Sequence, residues 1–382
     1  MRRAVIALLV VCLCVTVAPP ARAEDAQTKR LVEGILKGQS GTYGVAILDL
    51  ETGDVTVINP DETFHWASTV KLPLVLYTFI QVGEGHLSLT DQLAYTAADY
   101  ESGSGSLQRY VKVGDTFSVG YLTRIAIRNS DNIAKLMLLH HFGRPTIEAW
   151  AETLGGHFKQ DGMCAPEMLI YLKYIYEHRN EPLMQRLIDD LCHTTRRRLG
   201  KYLPATVTLA AKTGSLPGEF HNAGIIFCER PVAVAVYSKG TTEYQADQTI
   251  GRIGKAVYDQ YNRRIKIPVR FRDALIDFGD SYGAFLYHER TIVPLRRFAE
   301  TAGIDVTWDD ATRTAILSWG ERSISFTIGS DIAMASYRPD PIPLGERVFL
   351  INSRTYVPVR AISEALGFIV EWDGETRSVD VR

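Results

Sequence analysis

A chain of 382 residues with 42 Lys and Arg against 44 Asp and Glu has a formal charge of −2, which supplies no electrostatic case for nucleic acid. Its 46% hydrophobic and 23% charged residues describe an ordinary globular protein, long enough for two domains. Five cysteines are too few for a disulfide scaffold.

The N-terminus reads as an export signal. Arg2 and Arg3 precede an apolar run, Ala4 to Ala18, and Ala21-Arg22-Ala23 places small residues where a signal peptidase reads. Residues 1–23 are therefore expected to be a signal peptide cleaved after Ala23. The protein is then secreted or extracytoplasmic, with membrane or cell-wall association left open. Cys164, Cys192 and Cys228 would remain, and we read them as buried thiols.

Residues 24–262 alternate helical and strand signals. Leu31, Ile35 and Leu36 mark a leading helix. Strands follow at Tyr43–Leu50 and Val55–Ile58, joined by the polar turn Glu51-Thr52-Gly53-Asp54. A helix-rich middle runs from Ser68 to about Ile188. Three strands return at Thr208–Ser215, His221–Cys228 and Val232–Ser238, and a closing helix carries Ile250, Ile253, Val257 and Tyr261 on one face. Strands at both ends with helices between them predict an α+β fold, an antiparallel sheet backed by a helical cluster. Residues 263–272 are expected as a linker or edge element.

Residues 273–382 hold a duplication. Arg290-Thr291-Ile292-Val293-Pro294-Leu295-Arg296 recurs 64 residues on as Arg354-Thr355-Tyr356-Val357-Pro358-Val359-Arg360, and Gly303/Gly367, Trp308/Trp372 and Arg313/Arg377 keep the offset. Each copy predicts a strand, a helix opened by its proline and closed by its glycine, and strands flanking an acidic turn. Together they form a small α+β domain. The repeated tryptophans are expected to plug its core, and Tyr337–Arg347 to be its exposed loop.

Three motifs carry chemistry. Ser68-Thr69-Val70-Lys71 starts a helix, with Ser68 and Lys71 on one face. Ser130-Asp131-Asn132 lies between helical segments, and Lys212-Thr213-Gly214-Ser215 ends a strand. Each is weak alone. In this order and on these elements, the trio resembles that of class A β-lactamases and penicillin-binding serine hydrolases. The loop Tyr100–Gln108, Leu154-Gly155 and Ala165-Pro166 resemble further landmarks of that family.

A serine hydroxyl attacks an amide only if a neighbouring base takes its proton, and desolvation with a second cation makes a lysine such a base. The resemblance implies Ser68 as nucleophile, Lys71 as base, Lys212 as second cation and Ser130 as proton relay to the leaving nitrogen. It implies Tyr100 in the cleft wall and Asn132 on the substrate's side-chain amide. Lys212, Thr213, Gly214 and Ser215 would form the carboxylate-binding strand, with an oxyanion hole from the amides of Ser68 and Ser215. Substrates would be β-lactams or peptidoglycan stem peptides. No cofactor or metal is expected, because the histidines show no zinc spacing.

One departure stands out. Class A enzymes carry a glutamate in the loop below the serine, which activates water for release of the acyl group. The corresponding segment, Gly155 to Ala165, contains none. Glu167, Asp161 and His157 remain as candidate bases. Two functions stay open: a hydrolase that turns over, slowly with β-lactams, and a covalent sensor or decoy that stays acylated. A third, a degenerate catalytic domain whose tail is the working part, fits poorly with intact motifs. The tail resembles the copper amine oxidase N-terminal domain through its two V-P-[LV]-R segments and W-D turns. That resemblance implies a stalk, wall-contact or protein-contact role. Its single histidine and lack of cysteine fit no copper site.

Overall fold

The structure, a computed structural model, describes residues 23–382 apart from 161, 280–282 and 352. Most of the expected signal peptide lies outside the described residues. The chain opens with α1 (Ala23–Leu36), β1 (Thr42–Asp49) and β2 (Val55–Ile58). The middle holds α2 (Lys71–Gly83), a small hairpin of β3 (Gln92–Ala94) and β4 (Thr116–Ser118), α3 (Val119–Arg128), α4 (Asn132–Phe142), α5 (Arg144–Thr153), α6 (Ala165–Glu177) and α7 (Pro182–Cys192). Then come β5 (Thr208–Leu216), β6 (Glu219–Phe227), β7 (Val232–Lys239) and α8 (Glu243–Tyr261).

The five long strands form one antiparallel sheet in the order β2-β1-β7-β6-β5, so the two ends of the domain meet along β1 and β7. Strands β1, β6 and β7 are buried almost without interruption, which requires cover on both faces. Val32 of α1 and Ile250, Ile253 and Val257 of α8 pack on one face. The helical cluster supplies the other, with Leu72, Phe79, Leu122 and Met168 in its core. The expected fold class is the one observed. Local chemistry sets the helix starts in the middle: Ser118 and Asp131 accept the amides of Tyr121 and Ala134, and α5, α6 and α7 open on prolines.

The tail comprises β8 (Ile265–Lys266), β9 (Val269–Phe271), β10 (Ala274–Leu275), β11 (Phe285–Tyr287), β12 (Arg290–Pro294), α9 (Leu295–Thr301), β13 (Asp305–Asp309), β14 (Thr314–Trp319), β15 (Arg322–Thr327), β16 (Ile332–Ala335) and β17 (Ile342–Pro343). It ends with β18 (Phe349–Ile351), β19 (Arg354–Pro358), α10 (Val359–Ala365), β20 (Val370–Asp373) and β21 (Ser378–Val381). Strands β12 and β19 pair antiparallel with Val293 opposite Val357. Those residues are one duplication offset apart, so the two copies face each other across a local twofold axis. Phe298, Leu317, Phe326 and Ile362 fill a core of the tail's own.

Several expectations need correction. Of the two readings of residues 263–272, the edge element describes β8, which pairs with β11 at a sheet edge, while β9 runs parallel to β21 inside a four-stranded sheet. Trp308 and Trp372 do not plug the core; they are 38% and 47% exposed. Both sit on edge strands, β13 and β20, where an outward side chain has no neighbouring strand to cover it. The three cysteines are free and half-buried, not fully enclosed. In the loop 337–347 the prolines at its start are exposed, while Leu344 and Glu346 are buried.

The polar turn between β1 and β2 also does more than reverse the chain. Asp54 accepts the Tyr287 hydroxyl and pairs with Arg347 at 2.5 Å, both from the tail. Glu51 pairs with Arg264, and burial outweighs that cation enough to push the Glu51 carboxyl up to about 7. Arg230, bonded to Asp49 at 2.6 Å, lies over the rings of Tyr261 and Tyr287.

Candidate active site

The motif residues converge where the start of α2 meets β5. Ala67 takes a left-handed φ of 46° and turns the chain into a short 3₁₀ segment, Ala67–Val70, that runs on into α2. Thr69 anchors this turn: its hydroxyl donates to the Trp66 carbonyl at 2.6 Å and accepts from Tyr237 of β7 at 3.0 Å. Gly214 lets β5 approach, because a Cβ there would lie 3.1 Å from both the Ala67 Cβ and the Thr69 methyl.

Lys71 is 1% exposed and its Nζ is surrounded by acceptors. Ser68 Oγ lies at 2.8 Å, the Ser130 carbonyl at 2.8 Å, Ser130 Oγ at 3.2 Å and Asn132 Oδ1 at 2.7 Å. Lys212, 2% exposed, reaches the same Ser130 hydroxyl at 3.0 Å, so Ser130 bridges the two amines. Burial holds Lys71 well below the usual lysine range, and the Lys212 and Lys135 charges add to the effect against Glu101 and Asp131. Burial, helped by Arg198, pushes Lys212 down to about 7.

The loop carrying Ser130 is held from below. Ser130 has a left-handed φ of 56°, and Asp131 caps α4 while accepting the amides of Ser106 and Leu107 at 2.7 and 2.9 Å. Gly105 is required here, since a Cβ would fall 2.4 Å from the Asp131 carboxyl carbon. Ser104 donates to the Ser130 carbonyl at 2.7 Å, and Asn132 to that of Ser102 at 2.8 Å. The expected cleft-wall loop is thus fastened to the second motif.

A cleft of about 750 Å³ opens over these groups, lined by Ser68, Lys71, Ser130, Asn132, Lys212 and Ser215 among others. Thr213 also lines it, and Gly214 is buried beneath. Tyr100 is the exception: it is 56% exposed and outside the lining, while its neighbours Glu101 to Ser104 form the wall.

The loop below the serine is tied down by its backbone. Phe64 and Met163 exchange backbone bonds at 2.9 Å, Trp66 donates to the Lys159 carbonyl at 2.8 Å, and Tyr171 to that of His157 at 2.7 Å. Glu167 accepts the Cys164 amide at 2.7 Å as the cap of α6 and pairs with His157 through its other oxygen. These two candidate bases hold each other and neither lines the cleft; the third, Asp161, lies outside the described residues. Among the described residues of the loop, Phe158 and Gln160 line the cleft.

Motif reading missed Arg198. Its side chain, 2% exposed, donates to Ser215 Oγ at 3.0 Å and to the Gly214 carbonyl at 3.1 Å, backed by Asp247 at 2.6 Å and Glu243 at 3.0 Å. The run Arg196-Arg197-Arg198 was its only signal, and nothing in it says which arginine turns inward. Arg198→Met is expected to lower stability by about 2–3 kcal/mol in denaturant unfolding. That is modest for a broken buried ion pair, because Asp247 and Glu243 are part-exposed and regain water.

A serine hydroxyl touching a buried amine, a bridging hydroxyl and a cationic strand end are the parts that serine acyl transfer requires. The chain belongs to the β-lactamase enzyme family, which it matches over residues 27–261. Residues 280–381 match the copper amine oxidase N-terminal domain. Among the described residues, no group of three or more His, Cys, Asp or Glu is placed to hold a metal. The extended-spectrum β-lactamase PER-1 of Pseudomonas aeruginosa is 25% identical, over 58% of this chain and 82% of its own. A β-lactamase structure from Sphaerobacter thermophilus shares the fold at 24% identity and a TM-score of 0.55, covering 61% of this chain and 95% of that one. So does an acyl-enzyme complex of a PBP-A mutant with penicillin G, at 21% identity and a TM-score of 0.57, over 63% and 98%.

Proposed function

We propose that this protein is an exported serine hydrolase, acylated on Ser68 by β-lactams or by D-alanyl-D-alanine-type peptides, that releases its acyl group slowly. The observation that carries the reading is Lys71 Nζ, buried 2.8 Å from Ser68 Oγ and sharing Ser130 with Lys212. Neutral Lys71 takes the Ser68 proton as Oγ attacks the carbonyl carbon, and the amides of Ser68 and Ser215 receive the oxyanion. Ser130 then delivers a proton to the departing nitrogen and is reprotonated from Lys71. Lys212, Thr213 and Ser215, braced by Arg198, receive the substrate carboxylate, and Asn132 its side-chain amide. Export rests on the N-terminal sequence, Arg2 to Ala23.

The two lysines give the acylation rate a characteristic pH profile. Lys71 acts only when neutral, so acylation falls on the acid side as pH drops through its depressed pKa. Lys212 attracts a carboxylate only when charged, so capture by the free protein falls on the alkaline side, above about 7. Second-order acylation by a fluorescent penicillin is expected to be bell-shaped, its limbs belonging to the coupled pair. A flat profile would remove Lys71 from the base role.

A second reading, a penicillin sensor or decoy that stays acylated, is favoured by one observation. Glu167 and His157 are engaged with each other outside the cleft, which leaves no described loop carboxylate facing Ser68. The two readings differ only in the lifetime of the acyl group.

A further inference from the structure

The tail contains two cavities that its duplication relates to each other. One, about 600 Å³, is lined by Arg296, Glu300 and Trp308 of the first copy and by Arg354 and Thr355 of the second. The other, about 720 Å³, is lined by Arg360, Glu364 and Trp372 of the second copy and by Arg290 and Thr291 of the first. Each residue of one set lies 64 positions from its counterpart in the other. The floors correspond as well: Leu295, Val306 and Ala315 in one, Val359, Val370 and Val379 in the other. The pairing of Val293 with Val357 explains this, because a twofold axis there makes each copy complete the other's cavity.

Both cavities share an indole, an apolar floor and an arginine from each copy. A part-exposed indole stands beside an apolar floor and supplies a flat apolar face. The first cavity carries Arg296, Arg297 and Arg354 with Glu300 and Asp310, the second Arg290 and Arg360 with Glu289 and Glu364, and none of these nine groups forms an ion pair among the described residues. Guanidinium forks suit a carboxylate or paired oxygens. A pyranose ring has the complementary form, with C–H groups on its faces and hydroxyls on its rim. The first cavity's surplus of one positive charge favours a sugar unit that carries a carboxylate there, while the charges of the second balance. Two such related cavities on one small domain suit a polymer of repeating sugars.

We propose that the tail binds an acidic glycan chain through these two related pockets, with Trp308 and Trp372 as stacking platforms. The Trp308 indole is fixed by donating to Asp310 at 3.2 Å, whereas Gly374 occupies the corresponding place beside Trp372. The first pocket is therefore the better organised and the tighter of the two. The proposal is independent of acylation at Ser68.

The test uses the full-length protein and peptide-free glycan strands of alternating N-acetylglucosamine and N-acetylmuramic acid, with chitohexaose as the uncharged comparison. Calorimetry should give about two disaccharide units bound per chain, falling to about one in Trp308→Ala or Trp372→Ala. Each single variant should bind long strands at least ~10-fold more weakly, since two linked sites gain by effective concentration. The double variant should not bind, and the acidic strand should be preferred over chitohexaose. Should either tryptophan variant misfold, Arg354→Gln with Arg290→Gln takes its place, with the same loss expected for the acidic strand. Wild-type binding in the double variant, or no binding by the intact protein at millimolar strand concentrations, would overturn the proposal.

Discussion

Ser68→Ala is expected to abolish labelling by a fluorescent penicillin and to cut any β-lactam hydrolysis at least ~10³-fold. The covalent route needs the Ser68 oxygen, and among the described residues no other hydroxyl shares its placement beside Lys71 at the entry to α2. Ser130 comes nearest, but it lies between Lys71 and Lys212 with its backbone fixed by Ser104. The fold should tolerate the change, because Ser68 is half-buried and Lys71 keeps three other acceptors. The expected loss of stability is within about 1 kcal/mol. Gel fluorescence and thermal unfolding on the same preparation separate the two effects; undiminished labelling of a folded variant would displace Ser68 as nucleophile.

Gln160→Glu is expected to speed release of the acyl group about 10–10²-fold, part of the ~10²–10⁴ available from general-base catalysis. Gln160 is the polar side chain in the cleft lining among the described loop residues, and the exchange preserves its length while supplying a carboxylate that can activate water. The gain is expected below the full range because the loop backbone was not built around a base. Glu167→Gln should behave differently. It weakens the cap on the Cys164 amide and the pair with His157, with a cost of ~0.5–2 kcal/mol in stability and little change in release. Following decay of the adduct by intact mass for both variants checks the pair; a release rate that falls with Glu167→Gln and ignores Gln160→Glu would make Glu167 the water base.

The sheet and its helical cover were legible because burial on both faces forces long apolar strands, and because serine, aspartate and proline mark helix starts locally. The three motifs were legible because each occupies one turn or one strand end, where spacing fixes direction. Tyr100 misled because its loop is fastened through Ser102 and Ser104, so the chain turns after it and leaves the ring outside. Trp308 and Trp372 misled because a sequence shows a strand but not whether that strand lies at an edge. Arg198 and the docking of the tail on Asp54 are long-range pairings of charged groups, and Glu167 meets His157 across the loop. Spacing along a chain carries no record of them.

The most direct test of slow release mixes the intact protein with a large excess of a chromogenic cephalosporin and follows absorbance and intact mass together. The account predicts a burst close to one equivalent of product, a much slower steady phase, and an adduct that persists through it. Steady, rapid hydrolysis with no burst and no accumulating adduct would contradict it.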